Sequence, residues 1–366
     1  MLYLILGVIA LLALTVVLIV NFLPSFGDKP SGNRLKTIKN SEQYKVDKFS
    51  NSSKIKEDFT FEEYRKMFAK MFKGNPKSSP GHPLPFQKWT KEEVDNIQDS
   101  TTTAVWYGHS SFYLKMNGKN ILIDPMFGDY PSPLPYLTKK RFNDTLPIAI
   151  ADLPQIDVII LSHDHYDHLD YNSILELKGK TKCFLVPLGV GSHLESWGVD
   201  KNKIIELDWW QNQTIDDITF RCTPSQHFSG RGLTDKQSTL WSSWVIEGKQ
   251  KIYFSGDSGY FGGFKEIGKK YGPFDVCLME CGQYDSLWPD IHMFPEQTGQ
   301  AHLDLQGKTL IPIHWGGFTL AMHDWDDSVI RLQKFCASNA IDLATPMIGE
   351  PIHIGRKSDF TYWWKQ

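Results

Sequence analysis

The feature that most constrains this chain is residues 162–170, SHDHYDHLD, a run of His and Asp that directly follows the apolar residues 156–161. An apolar run of this length predicts a buried β-strand, and a strand that ends in a loop delivers the loop's side chains to one edge of a sheet. His163 and His165 are two positions apart and can face the same side of an extended segment, whereas Asp167 and His168 follow after the chain turns. This spacing predicts a site for two metal ions.

The residue types of this segment suit a hydrolytic metal centre. Borderline cations such as Zn²⁺ prefer imidazole nitrogen and carboxylate oxygen, and a hydrolytic site leaves coordination positions open for water and substrate. The alternative is a solvated His- and Asp-rich loop, which the dense spacing after a buried strand disfavours. We therefore predict two Zn²⁺ ions as cofactors, while other divalent transition metals suit the same ligands.

Length and charge exclude some classes of protein. The chain has 366 residues and a formal net charge of −3, with charges of both signs interspersed. Because a nucleic-acid backbone is bound by clustered cations, we expect no nucleic-acid partner. None of the five cysteines lies in a C-x-x-C pair, so we expect buried thiols rather than a disulfide framework. The sequence gives no indication of the oligomeric state.

The N-terminus predicts a membrane anchor. Residues 2–20 are almost continuously apolar, long enough to cross a hydrocarbon core of about 30 Å as a helix. No cation precedes this segment and no small-x-small cleavage site follows it, so we interpret it as a retained single span rather than a signal peptide. Lys29, Arg34, Lys36 and Lys39 follow closely. The positive-inside rule then places the folded part of the chain on the cytoplasmic face.

We divide the chain into an anchor (1–24), a juxtamembrane linker with an N-terminal extension (25–100) and a catalytic domain (101–366). In the extension, Thr60 and Glu63 form a capping box before a helix predicted near residues 60–73. Apolar side chains recur at helical spacing along it: Phe61, Tyr64, Phe68, Met71 and Phe72. We expect this face to pack on the domain; the alternative is that it rests on lipid or lines an entrance for acyl chains.

Beyond residue 100, strands come in two blocks, each joined to helices, and residues able to bind metal recur at strand ends. This pattern predicts an α/β fold in which two packed sheets are covered by helices. Two further polar residues, His109 and Asp124, follow the first strands. Each is a candidate partner that orients a metal-bound imidazole, with a purely local backbone contact as the alternative.

Several motifs resemble one family. The order and strand-end positions of His163, His165, Asp167, His168, His227, Asp257 and His314 resemble the metallo-β-lactamase superfamily. Within it, the chain is most similar to the N-acylphosphatidylethanolamine-hydrolysing phospholipase D family, in particular its bacterial branch. The matching segments besides 163–170 are Trp106-Tyr107-Gly108-His109, Ile123-Asp124-Pro125, Pro224-Ser225-Gln226-His227, Gly256-Asp257-Ser258-Gly259-Tyr260 and Ile313-His314-Trp315-Gly316.

The resemblance implies an αββα sandwich, which here follows the transmembrane helix predicted from residues 2–20, and it assigns the ligands. It implies that His163, His165 and His227 hold one ion, and that Asp167, His168 and His314 hold the other. Asp257 would bridge the ions and act in catalysis, while His292 would face the substrate phosphate. An exposed loop histidine is the alternative for His292.

The implied activity is cleavage of N-acylphosphatidylethanolamine-type phospholipids to N-acylethanolamine and phosphatidic acid. The expected partners are the membrane and a phospholipid or another small amphiphilic substrate. A lactonase or other ester hydrolase of the same fold is an alternative, and a nuclease is disfavoured by the charge. A non-catalytic, membrane-anchored zinc-binding scaffold is the alternative from another class; it would have closed four-ligand coordination.

Overall fold

The computed structural model describes residues 1–56, 59–356 and 360–365. Residues 57–58 of the predicted linker, and residues 357–359 and 366 of the predicted catalytic domain, lie outside the described residues. The helices of the described chain are α1 (Leu2–Phe22), α2 (Gly32–Ile38), α3 (Phe61–Lys73), α4 (Lys91–Asp95), α5 (Tyr171–Leu177), α6 (Gly191–Ser196), α7 (Gly263–Tyr271), α8 (Pro295–Asp304) and α9 (Asp327–Ser338).

The strands of the described chain are β1 (Tyr44–Lys45), β2 (Lys48–Phe49), β3 (Thr103–Trp106), β4 (Phe112–Met116), β5 (Lys119–Ile123), β6 (Ile156–Ile160), β7 (Thr181–Pro187), β8 (Ile204–Leu207), β9 (Asn212–Ile215), β10 (Ile218–Thr223), β11 (Ser243–Glu247), β12 (Lys251–Phe254), β13 (Phe274–Glu280), β14 (Gly307–Ile313), β15 (Asp342–Leu343) and β16 (Pro351–His353).

In the described part of the chain, two seven-stranded sheets carry the fold, and a separate hairpin pairs β1 with β2. The first sheet has the order β16-β3-β4-β5-β6-β7-β8 and the second the order β15-β14-β13-β12-β11-β10-β9. Strands β5 to β8 run parallel, as do β12 to β15. Parallel strands bring their carboxyl ends to one edge of a sheet, where the connecting loops build a site.

Alternation along β6 shows how the layers form. Ile156 and Ile159 point outward into a cluster that includes Ile174 of α5, whereas Val158 and Ile160 point into the core between the two sheets. All of these side chains are buried because both faces of the sheet are covered, which explains why residues 156–161 are apolar apart from Asp157. Helices α7, α8 and α9 cover the outer face of the second sheet in the same way. The predicted αββα sandwich is therefore confirmed.

Tryptophans fill much of the space between the sheets next to the predicted site. The rings of Trp106 and Trp315 lie 5.5 Å apart, and Trp315 stacks on Trp363 at 5.2 Å. The indole of Trp106 donates a hydrogen bond to the carbonyl of His109 at 2.9 Å. Aromatic packing thus fixes the loop that carries His109, in addition to stabilising the core.

Helix α1 stands apart from this core, with its described side chains exposed or half-buried. Its segment Tyr3–Phe22 is long and apolar enough to cross a membrane. The structure therefore offers one candidate membrane span among the described residues, at the predicted place.

Helix α3 forms as predicted, with Thr60 and Glu63 completing the capping box. The expectation that its apolar face packs on the domain is wrong, because none of the helix residues is buried. The contacts that attach this region involve polar groups: Lys70 pairs with Asp285, and the side chain of Asn75 donates to that of Asp324 at 2.8 Å. Polar attachment leaves the aromatic side chains facing outward.

Candidate metal centre

Four strand ends bring the predicted ligands together. The loop after β6 supplies residues 163–168, and His227, Asp257 and His314 follow the carboxyl ends of β10, β12 and β14. Because these strands belong to two facing sheets, residues up to 151 positions apart meet at one edge of the sandwich (His314 and His163, 314 − 163). The strand ends thus bring the predicted ligands to one edge of the sandwich.

One group contains His163, His165, His227 and Asp257, which each offer a ligand atom within 4.8 Å of the others. The Nε2 atom of His163 lies 2.9 Å from Nδ1 of His165, and Nε2 of His227 lies 3.2 Å from that same atom. Three imidazole nitrogens thus face a common point, an arrangement that could hold a metal ion.

A second group contains Asp167, His168, His314 and also His109, whose ligand atoms lie within the same limit of 4.8 Å. The Oδ2 atom of Asp167 lies 3.1 Å from Nε2 of His314 and 3.4 Å from Nε2 of His168. This group could hold a second ion. His109 lies closer to it than the sequence implied, because its Nε2 is 2.8 Å from Asp167 Oδ2.

Asp257 lies between the two groups. Its Oδ1 is 3.1 Å from Nε2 of His168, while its Oδ2 is 3.4 Å from Nε2 of His314 and 3.7 Å from Nε2 of His227. One carboxylate therefore reaches histidines of both groups, which is the position a bridging ligand would need.

Asp124 occupies the place expected of a partner that orients an imidazole. Its carboxylate accepts hydrogen bonds from Nδ1 of His168 at 2.7 Å and from the backbone N–H of Ser162 at 2.7 Å. The first bond leaves Nε2 of His168 free to point toward Asp257 and fixes the ring orientation. His109 contacts both the carboxylate of Asp167, at 2.8 Å from its Nε2, and the imidazole of His314, with ring centroids 4.3 Å apart.

Glu280 is a site residue that the sequence analysis did not single out. It is fully buried at the end of β13, and its Oε1 lies 3.1 Å from Nδ1 of His292 and 3.4 Å from Nδ1 of His314. The available signal was weak: Glu280 ends a buried strand, but its neighbours β12 and β14 are known only from the sheet order. Glu280 thereby orients two rings, and His292 lies half-buried beside the cluster, stacked on His314 with ring centroids 5.1 Å apart.

Three residues at the edge of the sandwich that carries the site have uncommon backbone conformations. His109, Asp124 and His314 all have positive φ, at 54°, 39° and 64°. Such conformations are uncommon for residues with a side chain and persist where surrounding contacts enforce them. Gly256, at φ 56°, precedes Asp257, and a Cβ there would lie 2.7 Å from the carbonyl oxygen of Ser242. Only glycine fits that turn without displacement.

Burial and neighbouring charges shift the pKa values of several residues of the site. Burial lowers the pKa of His163 and His227 well below the ordinary value, leaving them in the neutral form that binds metal. Burial opposes ionisation of Asp257, but the nearby His168 and His314 hold its pKa well below the ordinary value. For His314, burial is outweighed by Asp257 and by hydrogen bonds to carboxylates, which raise its pKa to about 9.

The residues present fit a bound cation. Among the described residues, Nε2 of His168 and Oδ1 of Asp257 are buried atoms that make no hydrogen bond, although they face each other. Four carboxylates are also buried within this one region: Asp124, Asp167, Asp257 and Glu280. Because buried charges are paired or coordinate metals, the cluster has both the vacant donor atoms and the excess negative charge that metal binding satisfies.

An open cavity of about 250 Å³ gives access to the cluster, and His165, Asp257 and His292 are among its lining residues. An adjoining pocket of about 190 Å³ is lined mainly by apolar side chains. The two share Phe59, Phe228, Trp288 and Ile291 in their walls. Phe228 lines both spaces, whereas Trp209, Trp241 and Trp244 lie in the core between the sheets.

A buried cation supports the metal-bearing loop. Arg231 donates from Nη1 to the carbonyls of Asp164 and Leu169, and from Nη2 to the carbonyl of Ser25 at 2.7 Å. Its guanidinium also lies 4.0 Å from the ring centre of Tyr166. Sequence reasoning missed this role because one arginine between two glycines carries no distinguishing pattern. The loop is thus fixed to the segment that follows α1.

Comparisons with known proteins agree with this geometry. A family model described as the beta-lactamase superfamily domain matches residues 119–315. The chain therefore belongs to the metallo-β-lactamase superfamily, as the resemblance implied.

Two relatives and one solved structure show which proteins of this superfamily the chain resembles. An uncharacterized protein of Mycobacterium tuberculosis is 39% identical over 309 residues, which cover 83% of this chain and 82% of that protein. The N-acyl-phosphatidylethanolamine-hydrolyzing phospholipase D 1 of Caenorhabditis elegans is 32% identical over 256 residues, covering 66% of this chain and 71% of that protein. Igni18, a metallo hydrolase of Ignicoccus hospitalis, shares the fold with a TM-score of 0.52 at 22% identity, over 70% of this chain and 100% of its own. The protein is a metal-dependent hydrolase of this superfamily.

Proposed function

We propose that this protein is a membrane-anchored phosphodiesterase that uses two Zn²⁺ ions to convert N-acylphosphatidylethanolamine-type phospholipids into N-acylethanolamine and phosphatidic acid. The observation that carries the proposal is the apolar pocket that adjoins two groups of metal-binding side chains and shares four residues with their cavity. A phospholipid has a charged phosphodiester beside long apolar chains, and this site offers an environment for each part. The relationship to the phospholipase D of Caenorhabditis elegans supports the same substrate class.

The ligands follow from the two groups. His163, His165 and His227 would hold one ion, Asp167, His168 and His314 the other, and Asp257 would bridge them. When bound, paired divalent cations supply Lewis acidity and bring the pKa of a water molecule toward neutrality. Asp124 and Glu280 keep the imidazoles of His168 and His314 in their orientations through the hydrogen bonds and close contacts described above.

The reaction balances as a hydrolysis. The oxygen of water forms a new bond to phosphorus, the bond between phosphorus and the ethanolamine oxygen breaks, and the departing oxygen takes a proton. Asp257 accepts the proton that the attacking water releases. His292, whose Nδ1 lies 3.1 Å from Oε1 of Glu280, would face the phosphate and donate a hydrogen bond to it or a proton to the leaving oxygen.

The anchor places this chemistry where the substrate lies. Helix α1 would span the membrane once, and the cations after it would keep the catalytic domain on the cytoplasmic face. Two of these cations also bind the domain: Lys29 donates to the carbonyl of Thr234 at 2.9 Å, and Arg34 pairs with Glu195 at 2.9 Å. The anchor is therefore joined to the domain by a short, well-contacted segment.

A substrate panel tests the proposal. The purified full-length protein, loaded with Zn²⁺, is incubated with N-acylphosphatidylethanolamine, phosphatidylcholine and an N-acyl lactone under the same conditions. We expect turnover of the N-acylated phospholipid and loss of that turnover in His165→Ala. Selective hydrolysis of the lactone by metal-loaded protein would contradict the phosphodiesterase and favour a lactonase on the same fold.

A further inference from the structure

Most of the apolar face of helix α3 is exposed, and Tyr64 is the member of that face that packs on Phe59 and lines the apolar pocket. The side chains of Phe61 and Phe72 are 86% and 90% exposed, and those of Tyr64, Phe68 and Met71 are 45% to 55% exposed. Soluble proteins rarely leave a contiguous aromatic patch in water, and such patches mark a surface that binds something.

The residues of α3 are separated by type around the helix. At about 3.6 residues per turn, the five apolar side chains fall on one side, and Lys66 falls opposite them. The remaining surface carries four cations, Arg65, Lys66, Lys70 and Lys73, against two acidic residues in the first turn. An aromatic face combined with a predominantly cationic remainder is typical of helices that lie in the interface of an anionic lipid bilayer.

The helix is fixed in relation to the metal centre. Lys70 pairs with the buried Asp285 near its C-terminus, and the backbone N–H of Lys56 donates to Asp290 at 3.1 Å before its N-terminus. Phe59 lines the cavity of the cluster, and Tyr64, in the first turns of α3, lines the adjoining apolar pocket. The exposed face therefore begins beside the pocket and cannot reorient freely.

The end of the candidate membrane span lies at the same centre. The indole of Trp197 donates to the carbonyl of Pro24 at 2.7 Å, and Phe26 packs edge-on against Tyr166 with ring centroids 6.0 Å apart. Tyr166 directly follows His165 in the chain. His165 and Phe59 both line the cavity beside the metal-binding residues. The segment that follows α1 thus contacts the metal-bearing loop, and Phe59, just before α3, lines the cavity beside that loop.

We propose that α3 is an interfacial helix whose aromatic face inserts into the headgroup region of the bilayer that α1 enters, with Arg65, which flanks this face, and Lys73, at the end of the helix, near anionic headgroups. The apolar pocket then opens at the lipid surface between the two anchoring elements. This inference rests on the membrane anchoring in the proposed function, but not on the identity of the substrate.

Depth-dependent quenching tests the inference in the full-length protein. A single cysteine is introduced at Phe72→Cys, in a Cys183→Ser background because Cys183 is the half-buried native thiol and the others are buried. It is labelled with an environment-sensitive fluorophore, and the protein is reconstituted into phosphatidylcholine–phosphatidylglycerol vesicles. Lys66→Cys, on the opposite face of the same helix, is the matched control.

We expect blue-shifted emission and strong quenching by nitroxide lipids for the label at position 72, and aqueous emission with weak quenching at position 66. Equal, weak quenching at both positions would overturn the inference. So would a blue shift at position 72 that appears without lipid and grows with protein concentration, since that would identify a second copy of the chain as the partner. The readout requires no turnover, so a wrong substrate assignment would leave this result unaffected.

Discussion

Asp257 is the residue whose charge serves both halves of the site, because its two oxygens lie 3.1 Å from His168 Nε2 and 3.7 Å from His227 Nε2. Asp257→Asn keeps the shape of the side chain but removes its negative charge. Replacing even an outer partner of a metal ligand costs about 10–100-fold, so we expect this variant to lose metal and at least about 100-fold in hydrolysis rate. Elemental analysis and initial rates on purified protein measure both quantities.

Asp144→Asn is the matched control for that variant. The Asp144 side chain is 75% exposed and pairs only with Lys140 among its charged contacts described here. It should retain the metal content and rate of the unaltered protein. Full rate and two bound metals in Asp257→Asn would refute the bridging role.

Asp124 acts through His168 rather than on the substrate. Asp124→Asn weakens the hydrogen bond that fixes the ring of His168, so we expect metal affinity to fall by about 10–100-fold while the fold persists. Competition with a chromophoric chelator measures the affinity, and circular dichroism checks the fold. Asp157→Asn on β6, whose carboxylate pairs with Lys182 at 2.8 Å away from the cluster, is the control. Unchanged affinity in Asp124→Asn would assign Asp124 a purely structural role.

Individual site residues show which features of the site can be predicted from the sequence and which cannot. The His and Asp residues of 163–168 were found because dense local spacing carries chemical information. Glu280 was missed because one glutamate at a strand end looks like any other until β14 brings His314 beside it. His109 was found, but its contact with Asp167 depends on how two distant loops meet, and no local pattern specifies that distance.

Among the elements, the turn between β12 and Asp257 is tightly restricted. Gly256→Ala would place a Cβ 2.7 Å from the carbonyl oxygen of Ser242 at a positive φ of 56°. We expect the free energy of unfolding to fall by about 2 kcal/mol or more, measured by denaturant titration. Gly262→Ala is the control, since a Cβ there meets nothing within 4 Å. Equal stability of the two variants would show that the turn relaxes.

Elements were predictable where local chemistry decides them. β6 followed from its apolar run, and α3 followed from its capping box. The burial of α3 was predicted wrongly, because amphipathic periodicity reveals a face but not what covers it. Strand β16 was not predicted, since the short segment Pro351–His353 becomes a strand only by pairing with β3.

For the whole molecule, the predicted orientation in the membrane is testable. Asp144→Cys places an exposed thiol on the catalytic domain, whose native cysteines are buried or half-buried. If the domain is cytoplasmic, a membrane-impermeant maleimide should label this cysteine in intact cells only after permeabilisation. Labelling from outside before permeabilisation would reverse the orientation and with it the positive-inside interpretation.

The sandwich brings together at one edge a metal cluster, an apolar pocket and the exit of a candidate membrane span. The metal cluster forms at the ends of strands, the apolar pocket is lined by aromatic side chains of loops, and the candidate span is the apolar N-terminal segment. Their combination is the basis on which we propose a lipid phosphodiesterase, because the fold alone does not determine the reaction.

The most direct measurement is mass-spectrometric product analysis in ¹⁸O-labelled water, with metal-loaded, detergent-solubilised protein and N-acylphosphatidylethanolamine. We predict release of N-acylethanolamine and phosphatidic acid by the unaltered protein but not by His165→Ala, with the label in the phosphate of phosphatidic acid. Absence of both products from protein that contains two metals, or label in N-acylethanolamine instead, would contradict phospholipase D chemistry at this site.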